Sequence, residues 1–289
     1  MNQPLTRRFR LLLTMSRVRN LPSVWSNCLA GWWLGGAETF GKLPLLLLGV
    51  STMYLGGCFL NDAFDADIDR RRRPERPLPA GKISREFVWC SGFGLLALGV
   101  LLLVVCSKAA GVAAVLLTVF ILLYNATHQF LTASPWLMGI CRFWLYVIAG
   151  AVGANGLNGW PIYCGVALAF YVAGLGYIGW REHFRGPIPR WPLLLLSSPL
   201  VLAMLMNAKS YRVSAVGLAV VLASWTALSM QGVFRGTETS PARVAANLTA
   251  GMVLVDWLAV FPVCPLWLTL IFPVLFGLTK LLQRAMPPA

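Results

Sequence analysis

Charge is scarce in this chain: charged residues make up 12% of its 289 positions, where a soluble domain carries roughly a quarter. Acidic residues number only ten, against 24 lysines and arginines. The seven cysteines (28, 58, 90, 106, 141, 164 and 264) are scattered through apolar stretches. No CxxC spacing occurs, so neither a disulfide framework nor a zinc site is indicated. There is no Walker-type phosphate loop and no GxGxxG following a strand, which removes the common nucleotide-binding classes. No serine–histidine or cysteine–histidine pair offers a nucleophile, and no polar stretch is long enough for a soluble domain. The N-terminus lacks the form of a cleaved signal, because its apolar core, Leu11-Leu12-Leu13, is short and is followed by Arg17 and Arg19.

What the chain has instead is apolar length. Hydrophobic residues are 58% of the total and the mean hydropathy is +0.70. The sequence divides into ten apolar segments near the length needed to cross a bilayer. They are Leu21–Ala37, Leu43–Leu60, Phe87–Cys106, Ala110–Tyr124, Trp136–Ala154, Trp160–Trp180, Trp191–Met206, Val213–Met230, Ala246–Phe261 and Leu266–Leu282. The last two are separated only by Pro262 to Pro265, so nine or ten spans are expected. The whole chain, 1–289, is expected to be one polytopic membrane domain, with a basic N-terminal segment (1–20) and two polar loops (61–86 and 181–190).

The net charge of +14 is distributed by topology. With the N-terminus in the cytoplasm and the segments alternating, nineteen lysines and arginines fall inside and four (Lys42, Lys108, Lys209, Arg212) outside, with Arg142 within a span. That is the positive-inside pattern. It predicts a multi-pass protein of the cell inner membrane with both polar loops cytoplasmic, and it explains the basicity without nucleic acid.

Four of the ten acidic residues, Asp62, Asp65, Asp67 and Asp69, lie within eight positions at the end of the second apolar run. Carboxylates at a membrane boundary are costly and by default mark function. If the span continues as helix past Leu60, Asp62, Asp65 and Asp69 share one face at i, i+3 and i+7, flanked by Asn61, while Asp67 points away. Such a stripe suits magnesium, which takes one or two carboxylates together with phosphate oxygens and water. Pro74, Pro77 and Pro79 then predict an extended loop folding back over the aspartates. Arg76, held between prolines, is placed for bidentate phosphate contact.

Asn61-Asp62-x-x-Asp65-x-x-x-Asp69 followed by Arg76-Pro77-Leu78-Pro79-x-Gly81 resembles the first aspartate-rich motif of the UbiA superfamily of intramembrane prenyltransferases. The resemblance implies an all-α bundle of nine to ten transmembrane helices around a central cavity. It also implies transfer of an isoprenyl group from a polyprenyl diphosphate to a lipophilic acceptor, aromatic or other, after magnesium-assisted ionisation of the diphosphate. On the same grounds Asp62, Asp65 and Asp69 are the catalytic metal-holding residues and Arg76 lies in their covering loop. The family's second motif corresponds to a stretch here that carries one carboxylate, Glu182, as the further metal ligand, beside Arg181, His183 and Arg185. This reduced motif, with Gly139-Ile140-Cys141-Arg142, resembles a divergent branch that accompanies bacterial secondary-metabolite clusters, including the Ebo type.

Further substrate-binding candidates are Tyr124 and Asn125 at the end of the fourth span, where His128 stands for a lysine common among relatives. Arg142, some six residues into the fifth span, needs a site carboxylate or a diphosphate as partner. Asn20 and Asn27, at and within the first span, lie where the family forms part of its acceptor pocket. Asp256 lies mid-span, with two readings open: it bonds Asn247 or Thr249 within the bundle, or it lines the acceptor pocket. Two alternatives stay open: a non-catalytic membrane protein that binds or moves an anionic lipid-like ligand, and a transferase using a different phosphorylated donor.

Overall fold

The computed structural model describes residues 11–38, 40–180, 190–205, 212–234 and 241–286. Among them every regular element is helical. Twelve helices are named here: α1 (Leu21–Leu34), α2 (Leu43–Arg72), α3 (Arg85–Cys106), α4 (Lys108–Thr127), α5 (Ser134–Val152), α6 (Gly159–Trp180), α7 (Pro192–Leu196), α8 (Ser198–Leu205), α9 (Arg212–Phe234), α10 (Pro241–Val260), α11 (Leu266–Thr269) and α12 (Ile271–Ala285). Residues 11–15 are also helical and join α1 through a single 3-10 turn, Val18–Asn20. Proline in the first turn opens α1, α2, α5 and α7, a position where its missing N–H costs nothing. Ser84 caps α3 by accepting a hydrogen bond from the Phe87 amide at 3.3 Å.

Eight stretches among the described residues are long and apolar enough to cross a bilayer. Two of the ten expected segments differ. The first contains α1, only 14 residues long, preceded by the turn at 18–20 and the helical residues 11–15. The seventh is broken at Ser197 into the short helices α7 and α8. The break accompanies local bonding: Ser197 Oγ donates to the Leu194 carbonyl and Ser198 Oγ to both Leu195 and Ala167. The last two expected segments are separate helices, turned at Pro262–Pro265 and packed on one another.

Packing places α1 and α5 at the centre. Both contribute to each of the two large hydrophobic cores, one shared with α2, α3 and α4, the other with α6, α7, α9, α10 and α12. Large side chains on the outside, such as Leu101, Val105, Val112, Val119 and Val220, are exposed. A rim of this kind is stable only against hydrocarbon. The molecule is a multi-pass membrane protein.

α2 is the longest helix, 30 residues, and about 45 Å at 1.5 Å per residue. Its last dozen residues therefore extend well past its apolar part. Much of the expected first polar loop is thus helix, and only the residues after Arg72 leave it. These form tight hydrogen-bonded turns instead of an extended strap, with the Ala80 amide on the Arg76 carbonyl and the Lys82 amide on that of Pro77. Gly81 takes φ +67°, the left-handed region that favours glycine. Leu78 and Ile83 pin the segment to a small apolar cluster around Met15, Phe59, Ala63 and Val88.

Candidate active site

The continuous helix carries Asp62, Asp65 and Asp69 on one face, and each carboxylate meets a different partner. Asp62 Oδ1 lies 3.3 Å from Arg17 Nη2. Asp65 Oδ1 accepts from Gln129 Nε2 and stands 3.2 Å from His128 Nε2. Asp69 Oδ2 accepts from Arg76 Nη1 at 2.6 Å. Their side chains are 10–13% exposed, shielded enough for electrostatics to act strongly yet open to a ligand. Asp67, 62% exposed, pairs with Arg70 and Arg85 on the outer side of the same helix.

A second layer braces this face. Asn61 Nδ2 donates to Asn125 Oδ1 at 3.2 Å, and Asn125 Nδ2 donates to the Gly57 carbonyl at 3.2 Å. Asn61 Oδ1 accepts from Arg17 Nη2 at 2.5 Å. α4 is thus tied to α2 beside the aspartates, and His128 reaches Asp65 from its end. Burial alone would depress the His128 imidazole, but the hydrogen bond and charge of Asp65 outweigh it and hold the group above its ordinary value. Tyr124 stacks on His128 with ring centroids 5.1 Å apart.

Beneath this face lies a cavity of about 230 Å³ enclosed by α2, α4, α5, α6 and α10 with the 17–20 turn. Its polar lining includes Arg17, Asn20, Asn61, Tyr124, Asn125 and Arg142; the remainder is largely apolar, as with Met53, Leu117 and Ile121. Above it a basin of about 1160 Å³ opens between the aspartate face, the start of α10 and the end of α12. Arg19, Arg73, Arg76, Arg243, Lys280 and Arg284 line that basin, against the two carboxylates Asp62 and Glu75.

Of the expected site residues, Asn20, Asn61, Tyr124, Asn125 and Arg142 meet at the cavity, while Asp62 and Arg76 line the basin. Asp65 and Asp69 flank them through His128 and Arg76. Arg181 and Glu182 lie outside the described residues, as do His183 and Arg185.

Two expected partnerships differ. Arg142 does not meet a motif carboxylate: Nη1 donates to Asn27 Oδ1 at 2.8 Å and Nη2 to Ser23 Oγ at 3.3 Å. Asp256 does not meet Asn247 or Thr249. It accepts from Tyr146 Oη at 2.6 Å, from Asn27 Nδ2 at 2.7 Å and from Ser26 Oγ. Asn247 instead accepts from Lys280 Nζ at 2.6 Å, and Thr249 Oγ1 turns back to the Ala245 carbonyl.

Arg17 is the residue that sequence reasoning assigned to topology alone. It sits in left-handed conformation, φ 47° and ψ 38°, with its carbonyl accepting from Tyr54 Oη at 3.2 Å. The only signal in the sequence was an arginine immediately before a span.

The chain resembles known proteins throughout its length. The model of the UbiA prenyltransferase family matches residues 21–285. A digeranylgeranylglyceryl phosphate synthase from Methanopyrus kandleri is 25% identical over 75% of this chain and 98% of its own. A mitochondrial 4-hydroxybenzoate polyprenyltransferase from Bos taurus is 38% identical over a shorter stretch, 37% of this chain and 30% of that protein. Among solved structures, a digeranylgeranylglyceryl phosphate synthase superposes with a TM-score of 0.66 at 19% identity, covering 95% of this chain and 99% of the other. A UbiA homologue from Archaeoglobus fulgidus bound to GPP and Mg2+ superposes with a TM-score of 0.64 at 14% identity, with the same coverage.

Proposed function

The chain belongs to the UbiA prenyltransferase family, and on that premise we propose that it is an intramembrane prenyltransferase moving an isoprenyl group from a polyprenyl diphosphate to a lipophilic acceptor. The reading rests on one observation: of three shielded carboxylates on a single helix face, Asp62 lines the basic basin, and its neighbour Asn61 lines the largely apolar cavity. A donor with an apolar tail and a polyanionic head matches both spaces at once. The aspartates supply what that head needs between them.

Magnesium suits the donor set. Asp62, Asp65 and Asp69 offer hard carboxylate oxygens, and their present partners are side chains that a bound ion would replace. Among the described residues no three ligating side chains converge on one point. The described residues therefore supply few ligands to any one ion, which suits a cation that keeps waters and takes phosphate oxygens. When bound, magnesium neutralises charge developing on the leaving diphosphate.

The residues of the chain do the rest. Arg17 and Arg76, each holding a motif carboxylate, turn their N–H groups to diphosphate oxygens once the carboxylates are engaged elsewhere. The allylic carbon–oxygen bond breaks, its electron pair leaving with the diphosphate into the arginine-lined basin. Met53, Leu117, Ile121 and Leu145 keep water from the allylic cation. An acceptor atom then bonds that carbon and gives up its proton to the released diphosphate. Asn61 and Asn125 hold α2 and α4 in register throughout. Orientation follows from charge: the basin and the aspartate face are on the cytoplasmic side of an inner membrane, with the N-terminus.

The experiment is pyrophosphate release by purified protein in nanodiscs offered geranyl, farnesyl and geranylgeranyl diphosphates. Release is expected to require magnesium and to vanish with chelator and in Asp65→Ala. Binding of these lipids without any release, in the presence of candidate acceptors, would overturn the enzymatic reading in favour of a lipid-binding protein.

A further inference from the structure

The cavity beneath the aspartate face has a definite depth, and two helices give it independently. Asn61 on α2 and Asn125 on α4 are hydrogen-bonded to each other, so these helices are in register beside the aspartates. Asn20 and Thr249 line both the cavity and the basin, and the two spaces therefore communicate. The lining descends α2 as far as Met53 and α4 as far as Leu117. Each lies eight residues from its asparagine, about 12 Å at 1.5 Å per residue. Leu145 of α5 joins them in the lining.

Below these three side chains the bundle is closed. Val50, Ala114 and Ile148, one turn deeper on the same three helices, are fully buried and share one core with them. Met53 is seated by shape: a Cβ at Gly99 of α3 would collide with its Cγ, so the methionine fills a recess that only glycine leaves. A floor packed in this way resists extra methylenes. An isoprenoid chain can be measured against the depth above it. Each isoprene unit adds four chain bonds, about 5 Å in extended form with carbon–carbon bonds near 1.5 Å. Two units fit between the aspartates and the floor, and a third would have to pass through it.

We propose that the cavity measures the donor: it takes a two-unit, geranyl-length chain and excludes longer ones, with Met53, Leu117 and Leu145 as the floor that sets the limit. The inference rests on the prenyl-transfer reading, for which it names the donor class, but its test reads binding and not turnover. The three residues touch the tail and not the reacting atoms, so they act on specificity.

Purified full-length protein in nanodiscs with magnesium is titrated with dimethylallyl, geranyl, farnesyl and geranylgeranyl thiolodiphosphates, which resist ionisation. Affinities are referred to the ligand dissolved in the bilayer, so that partition into lipid drops out of the comparison. Geranyl is expected to bind at least about tenfold more tightly than farnesyl, since one methylene of misfit in an apolar pocket is worth about ten- to two-hundredfold. Met53→Ala vacates the recess in front of Gly99 and is expected to raise farnesyl relative to geranyl by about tenfold or more. Leu145→Phe adds bulk at the floor and is expected to shift preference the other way, towards dimethylallyl. If Met53→Ala does not fold, Leu117→Ala makes the same opening from α4, and the order of chain lengths in the wild type is a test by itself.

Three results overturn the proposal. One is tightest wild-type binding of any chain but geranyl, or of none. Another is equal binding of all four. The third is a chain-length profile left unchanged by the floor variants. A geranyl preference without magnesium-dependent pyrophosphate release strikes the enzymatic reading alone. Release accompanied by a preference for longer chains strikes this inference alone, so the two failures are distinguishable.

Discussion

At the scale of single residues, the four aspartates near the end of α2 separate by face. Asp62 and Asp65 point inward to Arg17 and His128, and removing either is expected to lower prenyl-transfer kcat by about a hundredfold or more, as when a group stabilising a developing anion is lost. Asp67 makes only surface pairs with Arg70 and Arg85, worth little. Asp67→Ala is therefore expected to turn over at the wild-type rate with an unchanged melting temperature. Assays of the three purified variants check this, and equal losses in all would refute the division by face. Asp256 belongs to stability first. Asp256→Ala leaves Asn27 Nδ2 and Tyr146 Oη without the acceptor they share, leaves Ser26 Oγ with the Ser23 carbonyl alone, and leaves Arg142 without compensation. Loss of one partner in a buried charged network costs about 3–5 kcal/mol. Thermal denaturation in detergent, followed by tryptophan fluorescence, is expected to show a correspondingly lowered transition.

At the scale of elements, the contact between α1 and α5 decides whether Asn27 reaches Arg142. It is made by small residues. A Cβ at Gly31 would stand 2.8 Å from the Tyr146 carbonyl oxygen, and one at Gly35 would stand 2.5 Å from that of Gly150. Glycines four apart, one in α1 and one at its C-cap, facing backbone on α5, permit the close approach common in membrane bundles. Gly35→Val is expected to force the helices apart and cost about 1–3 kcal/mol through overpacking. A melting temperature equal to wild type would show that the contact is soft. α2 makes the complementary point. Its extension past Leu60 was legible from the period of its aspartates, because three carboxylates at i, i+3 and i+7 converge only on a helix. The turns after Arg72 were not, because prolines restrict φ without specifying which carbonyl each remaining amide will find.

At the scale of the whole molecule, the asymmetry of lysine and arginine gives a topology that labelling can test. Cysteine introduced at Glu75, exposed beside the basin, is expected to react with a membrane-impermeant maleimide only when the cytoplasmic face is accessible. Cysteine at Lys108, exposed between α3 and α4, is expected to react from the opposite side. Exchange of the two sides would reverse the proposed orientation, and labelling of both from the same side would remove α3 as a span. Two expected spans were less regular than their hydropathy suggested: the first holds the short central helix α1, and the seventh is broken at Ser197. Hydropathy registers transfer from water to any apolar surroundings. It does not distinguish a helix that faces lipid from one, like α1, buried among its neighbours.

The sequence by itself determined a polytopic helical membrane protein, its first aspartate face and its likeness to the prenyltransferases, because each is written in local spacing: apolar length, helical period and a contiguous motif. It also marked Arg142 and Asp256 as costly. Only the tertiary structure decided what compensates them, which of two arginines attends the motif, and that His128 and Gln129 close on Asp65. Those pairings join residues 44 to 230 positions apart. Their geometry depends on which helix faces meet in the packed bundle, and helix packing is set by the side chains of two surfaces together, which neither segment states alone.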